Sequence, residues 1–314
     1  MVKKAVGIDI GGTYVKGALV DERGVILVKD QIPTHKEDGF AEILRNIAAF
    51  VQRLAVAGGA TLQDLVGVGV GIPGFIDDRE GSAVEVINVG WRQVPLRAIL
   101  ANALGLSIWM ENDANAAALG ESWIGAGRGA ESLLCVTLGT GVGGGIVLQQ
   151  RVWRGTNHMA GELGHFVVDP DGVPCKCGKR GCLETFASAT GMLRLAREGL
   201  ERGEPSVLMA DRLSTIEIFD AAANGDALAA AVVMTAADKL GRGLAYAADL
   251  LNPEVIIIVG GVAQAGEALL APVRTAFARD ALRRVAAATR LVSALLGNDA
   301  GVVGAAKLAF QSEW

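Results

Sequence analysis

The sequence predicts an α/β chain of two domains that share a cleft. Three observations carry this. Glycine-punctuated apolar runs alternate with stretches of helical spacing, the pattern of strands feeding helices. A strand, a Gly/Thr turn and a second strand occur near the N-terminus as GIDIGGTYVKGALV, and SLLCVTLGTGVGGGIVLQQ repeats that arrangement in the middle of the chain. With 314 residues and 51% hydrophobic content, the chain is long enough to bury a large core.

Composition excludes several classes of function. A net charge of -5 argues against nucleic acid as the main partner, because phosphate-backbone binding wants a basic face. The opening MVKKAVGIDIGG reaches glycines and an aspartate before an export-signal core has room to form. No apolar run approaches the roughly 20 residues of a membrane helix. The expectation is a cytoplasmic protein that works without membrane or nucleic acid.

In chain order, residues 5 to 32 read as a three-stranded antiparallel meander. Its first turn, Asp9-Ile-Gly11-Gly12-Thr13, exposes backbone N–H groups that form a nest for phosphate oxygens. Asp9 beside that nest would repel phosphate unless a cation intervened, so Mg2+ held largely through water, as with ATP, is expected there. The competing reading is a turn that uses glycine only for its backbone freedom. Asp38 is expected to cap a helix through Ala57, with Phe40, Ile43, Leu44, Ile47 and Phe50 on its apolar face. A buried strand over 65–74 runs into Pro73-Gly74, and Asn88-Val-Gly-Trp91 precedes a short helix near 95–104.

The strand SIWMEN then delivers Glu111-Asn112-Asp113 into the helix DANAAALGESW. A carboxylate at that position serves as a helix cap or as a general base at the cleft, and both readings stand at this point. In the central glycine run, Gly139, Gly141 and Gly144 match a dinucleotide fingerprint. GGIVLQQRVW continues as a β-run where that fingerprint requires a helix, which counts against a Rossmann oxidoreductase. The better reading is a second phosphate hairpin facing the first, with Thr140 and Gly141 on the nucleotide. Internal duplication of this kind defines the hexokinase/actin-like (ASKHA, ribonuclease H-like) α/β fold. No G-x4-G-K-[ST] sequence occurs, so a P-loop kinase is not expected.

From Gly161 to Glu184 the chain reads GELGHFVVDPDGVPCKCGKRGCLE, spaced His165-x9-Cys175-x-Cys177-x4-Cys182. One imidazole and three thiolates suffice for a closed tetrahedral Zn2+ site, structural because four protein ligands leave no open position. The alternative, disulfide-linked cysteines, needs an oxidising compartment. Glu162 and Glu184 bracket the loop, so folding it around metal draws both toward one candidate substrate pocket. Further on, Ser214 and Glu217 form a capping box, and a long Ala-rich helix near 226–251 stops at Asn252-Pro253. The apolar strand after Glu254 ends in Gly260-Gly261 before a helix, and the chain closes with the strand RLVSALL and a helix from Gly301.

Five strings in order, DIGGTYVKG, GVGVGIPG, ENDANAAALGE, LGTGVGGG and HMAGELGHFVVDPDGVPCKCGKRGCLETFAS, resemble the ROK family (repressors, open reading frames and kinases) along the whole chain, and within it the bacterial glucokinases. The resemblance implies an ATP-dependent hexose kinase acting on glucose at its 6-hydroxyl, with Asp113 as catalytic base. It implies that Asn88, Asn112, Asp113, Glu162, His165 and Glu184 bind the sugar, His165 also binding zinc through its other ring nitrogen. Gly260 and Gly261 would pack against adenosine. It further implies domains at 1–112, joined by a C-terminal helix at 301–314, and at 113–300, which carries the zinc loop 161–184.

A homodimer or homotetramer is the expected assembly, and glycolytic carbohydrate metabolism the expected context. His158 departs from the small residue common in these kinases, which leaves fructose, mannose, allose, N-acetylglucosamine and N-acetylmannosamine as alternative sugars. More distant alternatives are a non-catalytic sugar sensor and an NAD-dependent oxidoreductase. A repressor of this family would carry an N-terminal helix-turn-helix, for which the sequence before the first hairpin leaves no room.

Overall fold

The structure, a computed structural model, describes residues 2–311, so the last three residues of the helix expected at 301–314 lie outside the described residues. The meander forms as expected from β1 (Lys4–Ile10), β2 (Tyr14–Asp21) and β3 (Ile26–Pro33). Helix α1 (Gly39–Ala57) buries Ile43, Leu44, Ile47, Phe50, Val51 and Leu54, the three-and-four spacing of one helix face. Asp38 occupies its N-cap position, but its side chain makes no capping bond, because a 3-10 turn at Lys36–Asp38 leads directly into the helix.

Strand β4 (Leu65–Ile72) is followed by a small antiparallel sheet that the sequence reading missed: β5 (Phe75–Asp77), β6 (Ser82–Val86) and β7 (Trp91–Val94). These strands are too short for alternation to register clearly. Next come α2 (Leu96–Leu104), β8 (Ile108–Asn112) and α3 (Asp113–Ile124), then β9 (Ser132–Leu138), β10 (Val142–Leu148) and β11 (Arg151–Val152). The region after the cysteine loop is helical: α4 (Glu184–Ala187), α5 (Ala189–Glu201), α6 (Thr215–Ala223) and α7 (Ala227–Leu251). The Ser214 hydroxyl accepts from Glu217 N–H at 3.2 Å, the expected N-cap, but the Glu217 carboxylate accepts from that hydroxyl at 3.0 Å and not from the Ser214 N–H, so only half of the expected capping box forms. Asn252 ends α7 in the left-handed conformation, φ 45°. The chain finishes with β12 (Val255–Val259), α8 (Glu267–Asp280), α9 (Arg283–Ala288), β13 (Arg290–Ser293) and α10 (Ala300–Phe310).

Two five-stranded sheets have the same plan, β3-β2-β1-β4-β8 and β11-β10-β9-β12-β13. In each, the fourth and fifth strands run parallel to their neighbours: β1–β4 and β4–β8 in the first, β9–β12 and β12–β13 in the second. This is the duplicated order of the hexokinase/actin-like fold. Strand β12, Val-Ile-Ile-Ile-Val, is buried throughout, as a sheet covered on both faces requires.

The chain divides into two compact units. Unit 1 runs through Glu131 and adds Gly145–Ala160 and the chain from Leu295; unit 2 is Ser132–Gly144 with Gly161–Ala294. The units therefore do not divide at 112/113: α3 belongs to unit 1, where α10 packs on it and on β1 and β4. That packing needs glycine in the sheet, since a Cβ on Gly69 would strike the Ala305 carbonyl of α10. No single helix among the described residues is long and apolar enough to cross a membrane.

Candidate active site

Unit 1 carries the paired carboxylates. The hairpin tip between β1 and β2 is tied down by Gly11 N–H donating to the Tyr14 carbonyl (2.9 Å), by the Thr34 hydroxyl donating to the Gly11 carbonyl (2.7 Å), and by Thr34 N–H donating to the Thr13 carbonyl (2.9 Å). Gly12 lies beside the exposed Asn88: a Cβ added to it would be 3.5 Å from the Asn88 Cβ. Asp9 pairs with Lys16 in the β1–β2 register and abuts the first turn of α10, where a Cβ on Gly301 would come 3.0 Å from Asp9 Oδ2. Burial, and then the negative charge of Asp113, push the Asp9 pKa up to about 6, while Lys16 pulls it back.

The two readings of Asp113 separate at the β8–α3 junction. Asn112 is the cap, its Oδ1 accepting from Ala114 N–H (2.9 Å) and Asn115 N–H (3.2 Å). Its Nδ2 donates to the Gly74 carbonyl (3.2 Å). Asp113 is therefore not the cap, although its Oδ1 also accepts from Ala114 N–H (2.9 Å), and it stands at the positive end of the helix. Burial raises its pKa, opposed by hydrogen bonds from backbone N–H groups, Ala114's first, and from Asn112.

Behind this junction lies a buried ion pair that the sequence reading missed. Arg154 Nε donates to Glu111 Oε2 at 2.7 Å, and the side chains are 16% and 1% exposed. The other Glu111 oxygen accepts from Asn112 N–H (2.9 Å) and Asn115 Nδ2 (3.1 Å). The signal for half of it was present, because a glutamate in the apolar run IWMEN demands a partner. Nothing local pointed to Arg154, 43 residues away. His158, left-handed at φ 60°, has a buried Nδ1 without a hydrogen-bond partner among the described residues.

Unit 2 carries the second hairpin and the cysteine loop. Gly139 N–H donates to the Gly141 carbonyl (3.0 Å), Ala189 N–H to the Gly139 carbonyl (2.9 Å), and the Thr190 hydroxyl to the Thr140 carbonyl (2.8 Å). Glu184, the first residue of α4, accepts from Val142 N–H at 3.1 Å, and a Cβ on Gly141 would collide with its carboxylate. The strand continues through β10, as expected, and no helix follows the glycines.

In the loop, the His165, Cys175, Cys177 and Cys182 ligand atoms all lie within 4.8 Å of one another. His165 Nδ1 is 3.7 Å from Cys175 Sγ, and the Cys177 and Cys182 sulfurs are 3.6 Å apart. A tetrahedron with Zn–S bonds of about 2.3 Å has edges of about 3.8 Å, so the donor set fits zinc. Burial first, and then neighbouring thiols, push the Cys182 pKa up to about 12, a crowding that a cation would reverse. With Nδ1 turned to the thiols, His165 presents Nε2 toward Glu162, 3.9 Å from its Oε2. Leu183 N–H donates to the Phe166 carbonyl (2.8 Å), tying the histidine arm to the segment that holds Glu184.

The last predicted pair splits. Gly260, at φ 106°, is required because a Cβ would collide with the Leu138 carbonyl, whereas Gly261 has open space around it. A 3-10 turn at Val262–Ala265 follows, and the expected helix begins only at Glu267, since Gly266 interrupts it at φ 58°. The predicted residues thus fall into two sets. Asp9, Gly11, Gly12, Thr13, Asn88, Asn112 and Asp113 belong to unit 1, and Thr140, Gly141, Glu162, His165, Cys175, Cys177, Cys182, Glu184, Gly260 and Gly261 to unit 2.

The model of the ROK family matches residues 5–312. A glucokinase from Halalkalibacterium halodurans is 46% identical over 314 residues, covering 98% of this chain and 95% of that protein. Among solved structures, the ROK hexokinase from Thermus thermophilus aligns with a TM-score of 0.82 at 36% identity, covering 98% of both chains. A ROK family glucokinase from Streptomyces griseus, in complex with glucose and AMPPNP, aligns with a TM-score of 0.81 at 36% identity over 98% of this chain and 100% of that one.

Proposed function

The chain belongs to the ROK family, and we propose that within it this protein is an ATP-dependent glucokinase, transferring the terminal phosphoryl group of ATP to the 6-hydroxyl of glucose. The observation that carries the chemistry is the split of duties at the β8–α3 junction: Asn112 caps the helix, and Asp113 keeps its carboxylate for a proton. Full-length similarity to glucokinases supports the choice of sugar.

Asp113 takes the proton of the sugar hydroxyl as its oxygen bonds to the γ-phosphorus and ADP departs with the electrons of the broken P–O bond. A positioned general base contributes about 10²–10⁴ in rate. Asn88, Asn112, Glu162, His165 Nε2 and Glu184 hold sugar hydroxyls. Backbone amides at Gly11, Gly12, Thr13, Thr140 and Gly141 grip phosphates, and adenosine lies along Gly260 and Gly261, where Gly261 leaves room. Mg2+ near Asp9, when bound, neutralises phosphate charge. Zn2+ on His165, Cys175, Cys177 and Cys182 is structural and fixes the imidazole with Nε2 toward substrate. Free thiols in that set suit a reducing cytoplasm, and the protein works in glycolysis as a homodimer or homotetramer.

The test is a coupled ADP-release assay across a hexose panel, with and without a zinc chelator. The highest kcat/KM is expected with glucose, falling on metal removal. A different preferred hexose would reassign the substrate, and no ADP release with any hexose would overturn the kinase reading.

A further inference from the structure

At the other end of α3 and α10 from Asp113 and Asp9, unit 1 holds a cavity of about 320 Å³, at the small end of the roughly 300–1,000 Å³ typical of ligand sites. Its lining includes Ser122 and Trp123 near the end of α3, Arg128 just beyond it, Gln150 in the β10–β11 turn, and Lys307 and Gln311 at the end of α10. No aspartate or glutamate is among the lining residues. Arg128 and Lys307 have no carboxylate partner among the described residues, and Lys307 Nζ sits 4.6 Å from the centroid of the Trp123 ring. Burial lowers the Lys307 pKa, with no anion among the described residues acting on it. The buried Oε1 of Gln311 also has no hydrogen-bond partner among the described residues.

Among the described residues, two cations without a counter-charge in a partly desolvated pocket, next to an unmatched acceptor, define the complement they lack: an anion that also carries a hydroxyl donor. We propose that this cavity binds a small phosphate ester, with its phosphate oxygens on Arg128 and Lys307 and a hydroxyl donating to Gln311 Oε1. The site has a direct mechanical connection to the chemistry. Helix α3 begins at Asp113, and the first turn of α10 lies against Asp9. The two helices interlock, since a Cβ on Gly304 would strike the Ala116 carbonyl. The inference does not depend on which hexose is phosphorylated.

The full chain is titrated at low ionic strength with inorganic phosphate and, separately, with glucose 6-phosphate, reading heat and tryptophan fluorescence. Wild type is compared with Lys307→Met, which keeps the stem on Trp123, with the exposed Arg128→Gln, and with Trp123→Phe. The expected result is saturable binding of glucose 6-phosphate, tighter than inorganic phosphate and at least tenfold weaker in both charge variants. Turnover of glucose without added phosphate ester should be unchanged in those two variants. Trp123→Phe should lose the fluorescence response while the heat persists. Equal affinity in wild type and both charge variants would assign binding to the glycine hairpins and overturn the proposal, as would absence of saturable heat in wild type. Should Lys307→Met fail to fold, Arg128→Gln carries the test alone, because its side chain is exposed. Inorganic phosphate binding as tightly as the ester would overturn the ester assignment.

Discussion

The two glycine hairpins, Gly11-Gly12-Thr13 and Gly139-Thr140-Gly141, occupy equivalent places in two sheets of one plan, yet they are wired differently. The first is anchored by a hydroxyl and backbone groups, with Asp9 beneath it in the field of Asp113. The second is anchored by Glu184, whose carboxylate takes the Val142 N–H and fills the space a side chain at Gly141 would need. The difference teaches that one sheet plan can be wired in two ways: contacts from outside the repeat join the first hairpin to a pair of buried carboxylates and the second to the loop that carries the cysteine cluster. Damage near the first should appear in turnover, and damage near the second in sugar affinity and stability.

The largest expected effect is from Asp113→Asn, which should lower kcat by about 10²–10⁴ with little change in glucose affinity by calorimetry. A residual rate close to wild type would remove the base from the first hairpin's side of the comparison. Arg154→Met leaves Glu111 buried and unpaired, an outcome that generally costs about 3–5 kcal/mol. Denaturant titration should show it, and adding Glu111→Gln should recover part of the loss. A wild-type midpoint for Arg154→Met would mean the pair does not hold the junction.

On the second side, Cys177→Ser should lower zinc content, Tm and glucose affinity together while kcat falls less than in Asp113→Asn. Zinc content and KM that stay at wild-type values would disconnect the loop from the hairpin.

Asp9 supplies the pH-dependent member of the set. Folding raises its pKa from 3.8 to about 6, so the folded state holds the proton more tightly than the unfolded one. The contribution to stability is present at and below pH 4 and is lost as pH rises through about 6. In metal-free solution Asp9→Asn should therefore stabilise the chain at pH 7.5, by no more than about 3 kcal/mol for a two-unit shift, and not at pH 4. Identical stability differences at both pH values would refute the shift.

The smallest effects come from the tips. Gly12→Ala meets only the ordinary 3.5 Å contact with Asn88, whereas Gly141→Ala must displace the Glu184 carboxylate. Glucose KM should rise severalfold for Gly141→Ala and barely for Gly12→Ala; the reverse order would invert the assignment of the two tips.

What the sequence determined by itself was everything set by short spacing. The cysteine loop, the Gly/Thr turns, the Ser214 cap and the stop at Asn252 are each encoded within a few residues, so composition and period suffice to find them. The family resemblance likewise follows from strings in order. Tertiary structure decided which of two adjacent residues caps α3, because the distant Gly74 carbonyl takes the Asn112 amide N–H and so leaves its Oδ1 facing the backbone N–H groups. It also decided that Glu111 meets Arg154, that Glu184 reaches Val142 and that Lys307 stacks on Trp123. Those pairs join residues more than forty apart, and their energies depend on burial, which no local pattern records.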